Sequence, residues 1–565
     1  METNSLQQNT LSMIKPIKHR RTVTIDSQKL IKYKIYHPKN LKTTYEPLSF
    51  QEDQFSRPIK KPSKVYETQA VTSSANYSLN HKRAFQTTYF SSRIRNLSAS
   101  LSSFNLSAWN QINETSSKTI FKSFNSLKNL HDFYIRFFFC QFPATNDLHS
   151  LFKRLLYFKK LNYFSFYTLR CSGFETRHLN ALYSSLIRSS QLQLLDLTLD
   201  GNDQFLETLI LMLSKLTSLK KIFLLLKIAN PMHAEAFHKL FMAIRTIKSL
   251  TDITLFLNPC EISYESTSIE PFAEGLQYFN ASSIRKLNLN FEKNLTDKGL
   301  IQISQALRKF TSLQMLQLDL SESLEVTDEG LAQLSFTLSK LKSLTFLGLI
   351  FSGFTQDLVL AFTSLPNLVY LRLSLQNPNP SHDHIQQLSS SLQALKPSLK
   401  FLEIRFAEQS SLSDCMLENL SEALKELPLL KHFSLNLTSA SNLTSKGIEV
   451  LSMAIQGLSS LSSLSLNLSK NQEIDGKAMR ALSKAVRDFP SLHSIELDVG
   501  ECIQIDVEGD SFQCLLSLLC SIKNLCELRL TLPACNVPPK QMTKLKQRLN
   551  LRIYEYSGSL RIMTI

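Results

Sequence analysis

The stretch Leu313-Gln314-Met315-Leu316-Gln317-Leu318-Asp319-Leu320 decides the fold. Leu316, Leu318 and Leu320 alternate with Gln317 and Asp319, so a strand here has one apolar and one polar face. The same word, apolar-x-x-apolar-x-apolar-x-apolar, returns at Leu344, Leu347, Leu349 and Phe351. Further words start at Leu368, Leu399, Leu430, Leu461, Leu492 and Leu525, and the four intervals from Leu368 to Leu492 are 31 residues each. Upstream, words begin at Ile284, Leu250, Leu219, Leu192, Leu161 and Leu130, and more weakly at Leu101, where Phe104, Leu106 and Ala108 follow. Leu101 to Leu525 is 424 residues in 14 intervals, about 30 per unit, which is the period of stacked supersecondary modules.

Within each unit the apolar period changes from 2 to 3.6, the signature of a strand followed by a helix. After Val326, Thr327-Asp328-Glu329-Gly330 supplies capping oxygens and acidic residues for a helix start, and Leu331, Leu334, Leu338 and Leu341 recur at helical spacing. Thr296-Asp297 and Thr444-Ser445 open two further helices in the same way, leading into Leu300, Ile303 and Leu307 and into Ile448, Leu451 and Ile455. A parallel strand array covered by helices follows.

These words and the helix starts Leu295-Thr296-Asp297-Lys298-Gly299-Leu300 and Val326 to Leu331 resemble the leucine-rich repeat family, in particular its long-repeat class typified by ribonuclease inhibitor. The resemblance implies an α/β leucine-rich repeat solenoid, a horseshoe with parallel strands on the concave face and helices on the convex face. One departure is visible. The family's Asn or Cys, three residues after the third apolar strand position, is replaced by Ser321, Ser352, Gln376, Ala407, Thr438, Ser469 and Gly500. Looser or water-bridged turns are therefore expected.

Three segments follow from this pattern: a basic, Ser/Thr/Lys-rich and largely disordered N-terminal extension over 1–95, about fifteen repeats over 96–537, and a C-terminal cap over 538–565. Of the net charge of +16, residues 1–95 hold +11, from 17 Lys and Arg against 6 Asp and Glu. Lys15, Lys18, Arg20, Arg21, Lys60 and Lys61 form two clusters suited to an acidic surface or nucleic acid. Between Pro538 and Ile553, basic residues beside Leu545, Leu549 and Leu551 predict a capping helix that shields the end of the solenoid.

Composition narrows the function. Gly is 13 of 565 residues, about 2% against a usual 7%, which argues against a phosphate-cradling enzyme. Gly348 and Gly353 have the spacing of a phosphate loop, but Phe354 stands where its Lys belongs. His382, Asp383 and His384 lack a further spaced ligand and read as a helix cap. Nine cysteines without regular spacing indicate a reduced, intracellular chain, and the group Cys502, Cys514, Cys520, Cys526 and Cys535 reads as buried thiols. No apolar run reaches the roughly 20 residues of a transmembrane helix. No catalytic motif, cofactor site or metal site emerges, so the chain is read as a non-enzyme. Its compartment is the cytoplasm, with the nucleus or a cytoskeletal or ciliary structure as alternatives.

The default binding surface of such a solenoid is its strand face, broad enough for a protein partner. Tyr134, Tyr163, Tyr167, Phe223, Leu225 and Phe256 put large apolar groups on that face and are the candidate protein-binding residues. The extension could instead cover them, or a one-residue slip in register could bury them. Arg372, Glu403 and Arg405 are read as an ordinary solvated face. The function implied is a protein-interaction scaffold or adaptor. The alternatives are a ubiquitin-ligase substrate receptor, a regulator of a small GTPase such as the Ran GTPase-activating proteins, and a cytoskeletal or ciliary structural subunit.

Overall fold

The structure is a computed structural model, and it describes residues 23–24, 74–79, 102–111, most of 124–533, 551–556 and 559–564. It forms two compact units, one within residues 1–174 and one within 175–565. A strand begins two residues after each of the words recognised in the sequence, from Ser103–Gln111 after Leu101 to Glu527–Pro533 after Leu525.

In the first unit, strands Ser74–Leu79, Ser103–Gln111, Asp132–Gln141 and Tyr163–Leu169 pair successively and in parallel, and the two-residue strand Val23–Thr24 pairs with the first of them. Ser74–Leu79 falls inside the segment expected to be a disordered extension. Its register sets Ala75, Tyr77 and Leu79 opposite Phe104, Leu106 and Ala108, so the strand pattern continues upstream of the weakest legible word. Phenylalanine fills this core. Phe104, Phe133 and Phe164, one per strand, are fully buried, and Phe133 meets Phe158 edge-on at 5.4 Å.

In the second unit, consecutive strands from Leu194–Gly201 to Glu527–Pro533 pair in parallel with aligned registers. Helices alternate with them, among them Asp297–Leu307, Asp328–Leu338, Asp414–Lys425 and Ser445–Gln456. Leu316, Leu318 and Leu320 of one strand and Leu331, Leu334 and Leu338 of the following helix are at most 2% exposed. Strands sit about 4.8 Å apart whereas helices are about 10 Å across, so the strand side is the inner side of the curve. This is the α/β leucine-rich repeat solenoid.

The predicted helix to Ile553 is corrected at its end. Leu551–Tyr556 is a strand, paired antiparallel with Ser559–Thr564, which pairs antiparallel with Glu527–Pro533. A hairpin thus occupies the edge of the last repeat, and edge strands left open invite association. Residues 538–550 of the expected helix lie outside the described residues, as do Lys15, Lys18, Arg20, Arg21, Lys60 and Lys61.

The helix starts are fastened to one another. Thr327, the cap of Asp328–Leu338, donates through its amide and hydroxyl to the Asp297 carboxylate of the preceding helix at 2.8 and 2.5 Å, and the Gly330 amide adds a bond at 3.0 Å. Asp414 accepts equally from the Thr444 amide and hydroxyl at 2.8 and 2.6 Å. The scarce glycines are placed accordingly. A Cβ on Gly447 would lie 2.5 Å from Asp414 Oδ1, and one on Gly330 2.4 Å from Asp297 Oδ1.

The turns after the strands are tighter than expected. Asn436, Asn467 and Asp498 end successive strands by accepting from the amide two residues on, at 3.0, 3.0 and 2.9 Å. A bonded Asn and Cys are present, two residues beyond the family position. Buried Asn471 donates to Leu437 O at 2.8 Å, and the buried Cys502 thiol to Leu468 O at 3.0 Å, each 34 residues back. The residue before each of these has positive φ: Lys470 at 63° and Glu501 at 61°, with Gln409 at 58° and Ser439 at 57° in the preceding units.

Two stability outcomes are expected. Asp414→Ala lowers the unfolding free energy by about 1–2 kcal/mol through loss of the two bonds it accepts from Thr444, and Gly447→Ala is costly in the native background but less so beside Asp414→Ala. Ser439→Gly raises stability by up to about 1 kcal/mol by relieving a left-handed non-glycine residue. Urea denaturation of the single and double variants measures both.

Candidate functional site

The non-core face of the second unit's sheet is a set of columns. Parallel in-register pairing stacks each side chain on its counterpart one repeat away, which brings residues about 31 apart into contact. In the first column Asp252 lies between Lys221 at 3.0 Å and Lys286 at 3.9 Å. Farther along, Phe346, Tyr370, Phe401 and His432 form a continuous ring stack, with centroid separations of 4.5, 5.3 and 4.4 Å and interplanar angles of 29°, 12° and 9°. The stack was not legible as a unit because its members are 24 to 31 residues apart.

Beside it, Arg372 pairs with Glu403 across adjacent strands, Nε to Oε2 at 2.7 Å. Arg405 donates to Glu403 Oε1 from Nε at 3.0 Å and from its terminal amine at 2.8 Å, and the Tyr370 hydroxyl donates to Oε2 at 3.1 Å. Arg372 is 5% and Glu403 7% exposed, which corrects the expectation of a solvated face. Burial opposes the charged form of Glu403, but Arg372 and Arg405 outweigh it and hold its carboxyl below the usual range. Burial likewise opposes charge on Arg372, and Glu403 overcomes it and raises the guanidinium. The Tyr370 phenol is pushed up to about 12, chiefly by burial. Gly348 sits in the strand Phe346–Phe351 on the same face, and a Cβ there would approach the Phe346 ring to 3.2 Å.

The structure divides the predicted binding residues between the units. Phe223, Leu225 and Phe256 lie on the non-core face of the second unit, half-buried, with the two Phe rings 5.5 Å apart. In the first unit Tyr134 and Tyr163 touch edge-on at 4.6 Å; Tyr163 is buried, and Tyr134 and Tyr167 are half-buried. No one-residue slip buries Phe223 and Phe256, because Ile222, Leu224, Ile253 and Leu255 hold the core positions.

Other motifs resolve structurally. Ser381 caps helix His382–Ala394 together with His384, and His382 Nε2 lies 3.1 Å from Asn419 Nδ2 and 3.4 Å from Cys415 Sγ. Among the described residues there is no cluster of three or more His, Cys, Asp or Glu able to hold a metal. Cys502 is buried, but Cys514 and Cys526 are exposed, which corrects part of the buried-thiol reading. No helix among the described residues is long and apolar enough to cross a membrane.

No protein-family model and no curated protein matches the chain. Among solved structures, a chain of the crystal structure of the Rad7 and Elc1 complex in yeast is similar at 16% identity and a TM-score of 0.40, over 78% of this chain and 87% of that one.

Glu403→Gln leaves a buried guanidinium without its counter-charge and should cost about 3–5 kcal/mol. The double variant Arg372→Met, Glu403→Gln should recover part of that loss, a coupling that a double-mutant cycle reads. Because the folded carboxyl titrates below its unfolded value, its contribution is present above a pH of about 4.3 and is lost as pH falls through the folded value.

Proposed function

We propose that this chain is a non-enzymatic protein-interaction scaffold, an adaptor of the long-repeat, ribonuclease-inhibitor-like class, that holds a protein partner against its strand face. The observation that carries the reading is the half-buried apolar group Phe223, Leu225 and Phe256 on that face. Its rings do not face the leucine core, so folding alone does not require them. The face is broad, in keeping with a macromolecular partner rather than a metabolite. Beside the patch, the alternating charges Lys221, Asp252 and Lys286 are suited to setting the orientation of a partner.

The basic clusters at Lys15, Lys18, Arg20, Arg21, Lys60 and Lys61 are proposed as a tether to an acidic surface or nucleic acid, and the cytoplasm as the compartment. Tyr134, Tyr163 and Tyr167 are proposed as a second contact region on the first unit. Of the three, Tyr134 and Tyr167 have the exposure to touch a partner.

Affinity capture with the full chain and with Phe223→Ser, Leu225→Ser, Phe256→Ser tests the reading. The triple variant should keep the native denaturation midpoint within about 1 kcal/mol, as surface changes do, and lose the captured partner. Equal capture by both chains removes this patch from the function. A truncation testing the tether should begin at or before Ser74, since a start near Asn96 would remove the strand Ser74–Leu79.

A further inference from the structure

Beyond the strand face, the first unit brings two thiols together. Strands Asp132–Gln141 and Tyr163–Leu169 pair with Phe138 opposite Leu169, and two residues farther along both chains stand Cys140 and Cys171, one repeat of 31 residues apart. The Cys140 amide donates to Cys171 Sγ at 3.4 Å. The two thiols donate to the adjacent carbonyls Phe138 O and Phe137 O, each at 3.4 Å. Neighbouring parallel strands lie about 4.8 Å apart, within the roughly 4.4–6.8 Å that a disulfide spans between Cα atoms. Cys140 is 1% exposed, while Cys171 is half-buried and open to a small reagent.

We propose that Cys140 and Cys171 form a site of reversible oxidation, which closes a disulfide between adjacent repeats when the protein meets a low-molecular-weight disulfide of the glutathione class. The Cys171 thiolate attacks one sulfur of glutathione disulfide, forming a mixed disulfide and expelling one glutathione thiolate, which takes up the proton Cys171 gave to solvent. Cys140 sulfur then attacks Cys171 sulfur, gives up its proton and expels the second glutathione. Both cysteines are oxidised by two electrons in total, and one glutathione disulfide is reduced to two thiols. The order follows from the surroundings. The neighbouring Cys171 sulfur and burial both push the Cys140 thiol upward, and Cys171 is the more open of the two, so Cys171 starts the exchange. The product links strand Asp132–Gln141 to the segment just after strand Tyr163–Leu169, and a reducing thiol reopens it.

The test uses the full chain. Native protein is incubated with glutathione disulfide, quenched by alkylation, digested without reduction and mapped by mass spectrometry. The expected result is a joined pair of peptides carrying Cys140 and Cys171, lighter than the two free-thiol peptides by two hydrogen atoms and separated by dithiothreitol. In Cys171→Ser, Cys140 should remain a free thiol that is alkylated only after denaturation. Recovery of both cysteines unlinked, a mixed disulfide persisting on Cys171, or Cys140 of the variant reacting as fast as in the native chain would overturn the proposal. Should Cys171→Ser fail to fold, the peptide map of the native chain decides alone.

Discussion

Parallel, in-register pairing at a period near 31 residues is the constraint from which the rest of this structure follows. Under it, the spatial neighbour of a strand residue is its counterpart in the next repeat rather than a residue close in sequence. Side chains must therefore tolerate their own equivalents. Leucines do so by packing into one core, and phenylalanines do so in the first unit by tilting against one another, Phe133 meeting Phe104 and Phe164 at interplanar angles of 50° and 53°. Charges do so by alternating in sign, as Lys221, Asp252 and Lys286 show.

The same neighbour rule governs the parts outside the sheet. An aspartate at one helix start serves the threonine cap of the next helix, and the glycine in the first turn leaves room for that carboxylate. After the strands, polar side chains reach back to carbonyls of the preceding unit. Each unit thus satisfies backbone groups that its neighbour leaves open, so no single repeat is a complete structure.

On the strand face, this coupling produces two kinds of surface. From Phe346 to His432 the side chains satisfy each other, rings against rings and Glu403 between two guanidiniums, so that charged groups become buried on the face opposite the leucine core. Around Phe223 and Phe256 the rings lie 5.5 Å apart and half-buried, next to the charged column of Lys221, Asp252 and Lys286. The first is a buried polar and aromatic cluster, whereas the second keeps part of its apolar area on the surface and is the patch proposed to meet a partner.

Strand positions, helix starts and the identity of core residues were legible in the amino-acid sequence, because leucine spacing and Thr-Asp caps are local signals. Thr72, Ala75, Tyr77 and Leu79 spell too weak a word to announce the strand at 74–79, and the edge hairpin after Leu551 was hidden by a mixture of basic and apolar residues that also suits a helix. The Asn471 and Cys502 bonds were missed because these residues stand two positions beyond the one where the family carries its Asn or Cys. What the sequence by itself determined is the module and its repetition. Only the tertiary structure decided which of the polar-face residues are buried together, because the partners of Arg372, Tyr370 and Cys140 lie about one repeat away and are chosen by strand register.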